Sequence, residues 1–250
     1  MLTGPNSFRY LNGDDLESAM RGKLPWLTLS ILSLTQSAMA QGTPYEHRVV
    51  CIDPGHPSEV GLGTHGKRTS EIEVAYRVAT SLAARLRAEG FVVVMTKHDM
   101  MEKVTNRRRA EIANAAGASL LLRLHCDAAA STLSGFALYY PSQPGVTHGV
   151  RGPAQDVIRS SAKAAKLMYP AMTKSLEGKL PSQGLKSDLA TAIGKKQGAL
   201  TGSIFSKGPT VLVEMVVLTN PKDEDWILSE GGQQAMVSAL DAGVRAALKQ

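Results

Sequence analysis

The chain of 250 residues is poor in the features that define several large classes of protein. It has two cysteines, which excludes a framework of several disulfides. Aromatic residues make up 5% of the chain, and no stripe of Lys and Arg is interleaved with them, so we expect no nucleic acid ligand. No apolar run approaches the ~18 residues that a membrane-spanning helix needs, so we expect no stable membrane insertion. The sequence has no internal repeat and no long linker, which predicts one globular domain.

The rest of the composition is that of a globular protein, with 43% hydrophobic and 20% charged residues. Lys and Arg together number 28 and Asp and Glu 22, which gives a net charge of +6 and a pI near 9.3. A basic balance of this kind favours anionic surroundings, such as a cell-wall polymer or lipid head groups.

The first forty residues predict a leader. A basic start at residues 20–23 precedes an apolar run, and the small-x-small motif Ala-Met-Ala follows at 38–40. This order is that of a secretory signal peptide. Residues 1–19 are polar and acidic, so we expect translation to start at Met20. We therefore predict an exported protein, in the periplasm or otherwise secreted, with a leader at 1–40 (signal peptide 20–40) and a mature domain at 41–250.

Short apolar runs alternate with helical patterns in the first half of the mature chain. Runs at 48–53, 91–95 and 119–125 are rich in Val, Ile and Leu, which is typical of strands buried on both faces. Ser70 and Glu73 form a capping-box pattern before an amphipathic helix. This βαβαβ order implies a parallel sheet with right-handed crossovers. We predict an α/β fold: a single-domain three-layer sandwich, with a mostly parallel sheet and helices on both faces.

The second half of the mature chain is less regular. Its Gly- and Pro-rich stretch at 141–153 is interpreted as a loop, and residues 194–208 are left without an assigned element. The remaining predicted elements are strands at 135–140, 184–187 and 210–214, a helix at 154–176 and one last helix near the C-terminus.

Three of the predicted strands end at residues that a metal ion or a hydrolytic water can use. His56 follows the first strand, His125 ends the third, and Glu214 ends the last. In open α/β sheets, ligands bind outside the carboxyl ends of the strands. We therefore expect two imidazoles and a carboxylate to meet in one crevice, although they lie far apart in sequence.

The two histidines are candidate zinc ligands, because neutral imidazole is the commonest zinc donor. A hydrolytic zinc site typically has three protein ligands and one open position. Glu71, after the Gly-rich loop 57–68, is a candidate third ligand; its alternative role is an acidic first-turn residue favoured by the helix dipole. His65, in the same loop, is a candidate fourth ligand or substrate contact, and an exposed loop histidine without either role is the favoured alternative. Glu214 is the candidate general base, with an ion pair to an arginine at 107–109 as its alternative.

Three further residues lie next to these candidates. Asp53 precedes Pro-Gly and either holds a ligand histidine or shapes the turn. Cys51 and Cys126 are each within five residues of a candidate histidine. In an exported protein the two thiols either pair as a disulfide or remain buried free thiols beside the site.

Five segments, in order along the chain, resemble the zinc-dependent N-acetylmuramoyl-L-alanine amidases of the cell-separation type. They are Val50-Cys-Ile-Asp-Pro-Gly-His56, the Gly-rich loop to Glu71, Arg109-Ala-Glu-Ile-Ala-Asn114, His125-Cys-Asp-Ala128, and Pro209-Thr-Val-Leu-Val-Glu214 through Leu218-Thr-Asn220. The resemblance covers essentially the whole mature chain. It implies that residues 41–250 are a zinc amidase catalytic domain.

The resemblance implies a site and a reaction. One Zn²⁺ is held by His56, Glu71 and His125, with Glu214 as general base. The reaction is hydrolysis of the amide that links N-acetylmuramic acid to L-alanine of the stem peptide. The implied substrate is peptidoglycan or muropeptides, and a protein activator is left open.

The sequence departs from the family pattern at three places. Pro57 stands where a second glycine is usual, Cys126 and Asp127 replace a small residue and an asparagine, and residues 215–217 replace a stretch that normally includes Gly-Phe. Three alternatives stay open: a zinc exopeptidase for other peptides, a catalytically lapsed murein-binding regulator, and a hydrolase that uses the thiol of Cys126. The regulator is disfavoured because neither a ligand nor the base is lost.

Overall fold

A computed structural model of the protein describes Tyr45 and residues 48–249. The predicted leader at 1–40 lies outside the described residues. A 3-10 turn at Asp188–Ala190 follows the strand at Ser182–Ser187. In chain order the elements are β1 (Val49–Pro54), α1 (Glu71–Ala88), β2 (Val92–Met95), α2 (Asn106–Ala115), β3 (Leu120–Asp127), β4 (Phe136–Tyr140), β5 (Gly145–Thr147), β6 (Val150–Gly152), α3 (Gln155–Leu176), β7 (Ser182–Ser187), α4 (Ala192–Gln197), α5 (Thr201–Phe205), β8 (Thr210–Val217), α6 (Pro221–Leu228) and α7 (Glu230–Leu248).

Six strands form one sheet in the order β2-β1-β3-β8-β4-β7. β1 pairs in parallel with β2 and β3, and β3 pairs in parallel with β8. β4 runs antiparallel to β8 and parallel to β7. The sheet is therefore mostly parallel, as predicted. The carboxyl ends of β1, β3 and β8 lie at one edge, here called the site edge, and the register there places His125 beside Glu214.

The two faces of the sheet are covered by different helices, because side chains alternate along each strand. On one face, called the apolar face, Ile52, Leu122 and Val213 belong to a core shared with α1, α3 and α7. On the opposite face, called the polar face, Leu121 packs against α2, and Leu212 packs against Leu200 at the start of α5. Helices on both faces confirm the predicted three-layer sandwich.

Helix α1 begins where the capping box predicts. The Ser70 hydroxyl accepts a hydrogen bond from the Glu73 backbone N–H at 3.4 Å, and the Glu73 carboxylate accepts one from the Ser70 N–H at 3.1 Å. The apolar stripe of the helix, which includes Ala75, Leu82 and Leu86, is buried against the sheet. This start places Glu71 in the first helical turn.

The interpretation of 141–153 as a loop is wrong in part, because the stretch contains the hairpin β5–β6. Three-residue strands are too short to give an alternating pattern. Two of the glycines in this stretch permit close backbone packing: a Cβ added at Gly152 would lie 2.2 Å from the Ile204 carbonyl oxygen, and one at Gly145 would lie 2.4 Å from that of Gln197.

Other elements were missed for the same reason. The unassigned residues 194–208 contain most of α4 and all of α5, which are six and five residues long. The predicted C-terminal helix corresponds to α7, and the eight-residue α6 before it was missed. Ser229 ends α6, and its hydroxyl accepts the Gly232 N–H at 3.0 Å to begin α7.

Both cysteines are free and buried, and they lie on opposite faces of the sheet. Cys51 packs with Leu121 on the polar face, whereas Cys126 belongs to the core of the apolar face. The disulfide that the sequence left open is therefore not formed. Among the described helices, none is long and apolar enough to cross a bilayer.

Candidate active site

His56, Glu71 and His125 lie together at the site edge of the sheet. One potential ligand atom from each residue lies within 4.8 Å of the others. Nδ1 of His125 is 2.8 Å from Oε1 of Glu71, and Nε2 of His56 is 3.7 Å from Oε2 of the same carboxylate. The imidazole rings are 5.4 Å apart and nearly perpendicular. Two imidazole nitrogens therefore face one carboxylate from two sides.

His56 is oriented by the loop that follows it. Its Nδ1 is 3.0 Å from the carbonyl oxygen of Gly61. Because a carbonyl only accepts, Nδ1 donates, and in the neutral ring this leaves the lone pair on Nε2. The residue has φ 49°, in the left-handed region that few side chains adopt. Its carbonyl oxygen accepts a hydrogen bond from the buried ammonium group of Lys97, which holds this backbone in place. Burial lowers the pKa of Lys97 to about 8.

Glu71 is 2% exposed and its carboxylate is held by backbone donors. Thr64 N–H donates to Oε2 at 2.8 Å, and Cys126 N–H donates to Oε1 at 3.1 Å. Burial alone raises the pKa of Glu71, but its hydrogen bond with His125, its electrostatic interactions with the two imidazoles and the Thr64 N–H outweigh it, so the pKa is lowered. Glu71 is therefore an anionic ligand candidate and not only a first-turn residue.

Two glycines leave room for the three side chains. A Cβ at Gly63, where φ is +78°, would lie 2.4 Å from Oε2 of Glu71. A Cβ at Gly55 would lie 2.7 Å from Nδ1 of His125. Neither position accepts a side chain without displacing a candidate ligand, which explains the glycines around this site.

His125 lies near the carboxyl end of β3 and is kept neutral. Burial lowers its pKa, and the hydrogen bond and charge of Glu71 oppose this only in part. The neutral imidazole is the form that binds metal. With Nδ1 facing Glu71, its buried Nε2 has no hydrogen-bond partner among the described residues.

Glu214 lies beside His125 in the β3–β8 register. Burial, together with the charges of Glu71 and Asp127, raises its pKa well above the usual value. Its Oε2 is buried and has no hydrogen-bond partner among residues 48–249. No ion pair joins it to residues 107–109 in this part of the chain: Arg109 pairs with Asp53, and Arg107 and Arg108 pair with Glu111.

Asp53 shapes the turn and does not contact a histidine in the described structure. Its carboxylate accepts hydrogen bonds from the Thr96 hydroxyl at 2.6 Å, from Arg109 at 2.5 Å and from Nε of Arg123 at 2.8 Å. Burial raises the pKa of Asp53, but the two guanidinium groups outweigh it and hold the pKa well below its usual range. Arg109 also donates to the carbonyl oxygens of Pro54 and Pro57 at 2.5 and 2.9 Å. It thereby fixes the turn that carries His56.

Sequence reasoning missed three charged residues that support the site. Arg123 and Lys97 are buried beside it, and Glu224 of α6 fixes the loop before Glu71. Glu224 Oε1 accepts the Arg68 and Thr69 N–H groups at 2.7 and 3.2 Å. The one available signal was a charged residue inside the leucine-rich strand β3, at Arg123.

His65 and Cys126 lie outside the candidate ligand group. His65 forms a β-bridge with Ser70 and lines a separate cavity with Glu224. The thiol of Cys126 faces the core of the apolar face, and burial together with the charges of Glu71 and Glu214 raises its pKa well above the usual value. A thiol that stays protonated gives no support to a thiol hydrolase.

A cavity of about 180 Å³ opens on the polar face next to the candidate ligands. Its polar lining includes Arg123 and Glu214, and its apolar walls include Val60, Ile193 and Leu200. The α4–α5 region, which the sequence left unassigned, therefore forms one wall of the site.

Comparison with known proteins gives a consistent result. The family model for N-acetylmuramoyl-L-alanine amidases matches residues 50–246. Among curated proteins, the uncharacterized protein YqiI of Bacillus subtilis (strain 168) is 25% identical over 225 residues, which cover 89% of this chain and 97% of YqiI.

Solved structures of amidases share the fold. Ami1 from Mycobacterium smegmatis has a TM-score of 0.66 at 21% identity, covering 81% of this chain and 97% of its own. AmiC2 of Nostoc punctiforme has a TM-score of 0.64 at 19% identity, covering 82% and 99%. The CwlD amidase from Clostridioides difficile, solved with the GerS lipoprotein, has a TM-score of 0.59 at 18% identity, covering 80% and 98%. Since the family model runs from β1 into α7, the chain belongs to the N-acetylmuramoyl-L-alanine amidase family and acts on an amide bond of peptidoglycan.

Proposed function

We propose that the protein is a zinc-dependent N-acetylmuramoyl-L-alanine amidase that releases stem peptides from peptidoglycan or muropeptides. In this proposal His56, Glu71 and His125 hold one Zn²⁺, and Glu214 is the general base. The main support is geometric: the three potential ligand atoms lie within 4.8 Å of one another, next to a buried carboxylate with an unpaired oxygen.

The donor set fits zinc. Two neutral imidazoles and one carboxylate are a common ligand set of hydrolytic zinc sites, which keep a fourth position open. Imidazole ligands disfavour magnesium and calcium, which prefer oxygen. The anionic Glu71 and the neutral His125 are in the protonation states that metal binding requires. When bound, the ion would supply Lewis-acid polarisation of the scissile carbonyl.

Glu214 has the properties of a proton carrier. Its raised pKa makes it a stronger base than an ordinary carboxylate. In the proposed reaction it takes a proton from the attacking water and delivers it to the leaving nitrogen of L-alanine. Val60, Ile193 and Leu200 line the cavity beside the reacting groups and offer apolar contacts to a substrate.

The remaining contacts pre-orient the ligands. Gly61 fixes one nitrogen of His56, and the N–H groups of Thr64 and Cys126 fix both oxygens of Glu71. Such outer contacts set the orientation and basicity of metal ligands, so less ordering is required when the ion binds.

The test is release of stem peptides from purified muropeptides by zinc-loaded protein. Glu214→Gln keeps the shape of the side chain and removes its proton acceptor. We expect one zinc per chain to be retained and kcat to fall by about 10²- to 10⁴-fold. Glu111→Gln, on the exposed surface of α2, is the matched control and is expected to keep wild-type turnover.

Three outcomes would contradict parts of the proposal. Wild-type turnover in Glu214→Gln would remove its role as base. Cleavage of other peptides but not of muropeptides would favour the zinc exopeptidase. A protein that binds murein without zinc and without cleavage would be a regulator.

We also propose that the protein is exported, with a signal peptide at residues 20–40. The composition of the leader and the peptidoglycan substrate of the family support this location. N-terminal sequencing of the precursor and of the mature protein tests it. A mature protein that begins at Met1 or Met20 would contradict it.

A further inference from the structure

A buried guanidinium group lines the active-site cavity and has no part in the mechanism above. Arg123 lies within β3, two residues before His125, and is 4% exposed. Its Nε donates to Asp53 at 2.8 Å and its Nη2 donates to the Asn106 side-chain oxygen at 2.6 Å. Arg123 and Glu214 line the same cavity.

One donor of Arg123 is not used by its contacts within the chain. Asp53 pairs with both Arg109 and Arg123. The hydrogen bonds of Arg123 to Asp53 and Asn106 use its Nε and Nη2, and its Nη1 donates to no group among the described residues. A guanidinium with a free donor favours a ligand that brings a carboxylate into this cavity, because such a contact is charge-assisted.

The place of Arg123 in β3 suits the length of a stem peptide. Arg123 and His125 lie two residues apart on the same side of β3, so their Cα atoms are separated by about 7 Å, and both side chains line the cavity. A peptide whose scissile amide lies at the candidate ligands carries the α-carboxylate of its second residue about two extended residues away, again ~7 Å. The apolar side chains of Leu200 and Leu212 line the same cavity.

We propose that Arg123 binds the free α-carboxylate of the second stem-peptide residue and makes the enzyme selective for an acid over an amide at that position. Guanidinium–carboxylate contacts are charge-assisted and geometrically specific. A carboxamide brings no charge and presents an NH₂ group to a guanidinium that can only donate. The inference rests on the proposed function, because it needs the peptide to lie in this site.

The experiment compares two substrates that differ in one group: N-acetylmuramoyl-L-alanyl-D-glutamate and its isoglutamine amide. We expect zinc-loaded wild-type protein to prefer the acid in kcat/KM by at least about tenfold, the scale of a hydrogen bond to a charged group. Arg123→Gln is expected to reduce the preference to about one, with zinc content unchanged. Arg123→Lys keeps a charge beside Asp53 and is expected to be intermediate, while Arg108→Gln, on the exposed surface of α2, keeps the wild-type ratio.

Each outcome has a distinct meaning. Equal cleavage of the two substrates by the wild type overturns the inference and leaves the proposed function intact. An Arg123→Gln variant that loses activity on both substrates but keeps the preference also overturns it. If zinc-loaded wild type cleaves neither substrate, the proposed function fails and the inference fails with it. The wild-type comparison needs no variant to fold.

Discussion

The two faces of the sheet are built from alternate residues of the same strands, yet their chemistry differs. In β3, Leu122 and Leu124 enter the core with α1, α3 and α7, whereas Arg123 and His125 line the cavity on the opposite face. Burial of apolar surface stabilises the fold in rough proportion to area. Buried ions stabilise it little or not at all. The apolar face therefore supplies stability, and the polar face is free to hold the site.

The charges of the polar face are tolerated because they are paired with one another. Asp53 holds Arg109 and Arg123, and Arg109 in turn donates to backbone carbonyls on both sides of His56. The arrangement positions a candidate metal ligand without direct contact to it. We therefore expect substitutions on the apolar face to change the free energy of unfolding, and substitutions on the polar face to change zinc affinity.

The largest effect on stability is expected from the apolar face. Leu122→Ala removes a fully buried side chain, which typically lowers the free energy of unfolding by about 2–5 kcal/mol. Urea denaturation measures this, with the half-exposed Leu167→Ala as control. Zinc affinity of the folded variant should stay within about twofold of wild type, since the Leu122 side chain lies on the face of β3 opposite to His125. Loss of zinc affinity in a stable Leu122→Ala protein would break the division between the faces.

A smaller effect is expected from the polar face, where substitutions should change zinc affinity and not the free energy of unfolding. Arg109→Lys keeps a positive charge beside Asp53, but one ammonium group cannot reach the separate carbonyls of Val104, Pro54 and Pro57. The turn that carries His56 then loosens, and we expect zinc affinity to fall by about 10- to 100-fold, as for other outer-shell changes.

Competition with a chromophoric chelator measures this affinity. Arg108→Lys is the adjacent control, because its side chain is exposed and pairs only with Glu111 among the described residues. If Arg109→Lys binds zinc as tightly as the control, the buried ion network is structural only.

The large elements were predictable because their patterns are long. The 18 residues of α1 carry a capping box and an apolar stripe, and the buried strands β1, β3 and β8 carry continuous apolar runs. Because ligands bind at the carboxyl ends of such strands, the sequence predicted that His56, His125 and Glu214 lie together. The short elements β5, β6, α4 and α5 were missed because three to six residues are too few for periodicity.

The supporting contacts of the site were not predictable. Glu224 reaches the backbone of Arg68 across 156 residues, and Arg123 reaches Asp53 across 70. Sequence spacing within one element carries no information about such pairs, which depend on strand order and register. The charge of Arg123 within a leucine-rich strand indicated that the strand holds a buried ion, but it did not identify Asp53 as the partner. The roles of His56, Glu71, His125 and Glu214 stay predictions.

The central claim is that two imidazoles and one carboxylate share a single ion. X-ray absorption at the zinc edge, on protein loaded with one equivalent of zinc, tests it most directly. We expect only nitrogen and oxygen neighbours at about 2.0–2.2 Å, with the outer scattering of two imidazoles. In His125→Ala, one imidazole should disappear from the spectrum. Sulfur at about 2.3 Å, or an unchanged spectrum in His125→Ala, would contradict the claim.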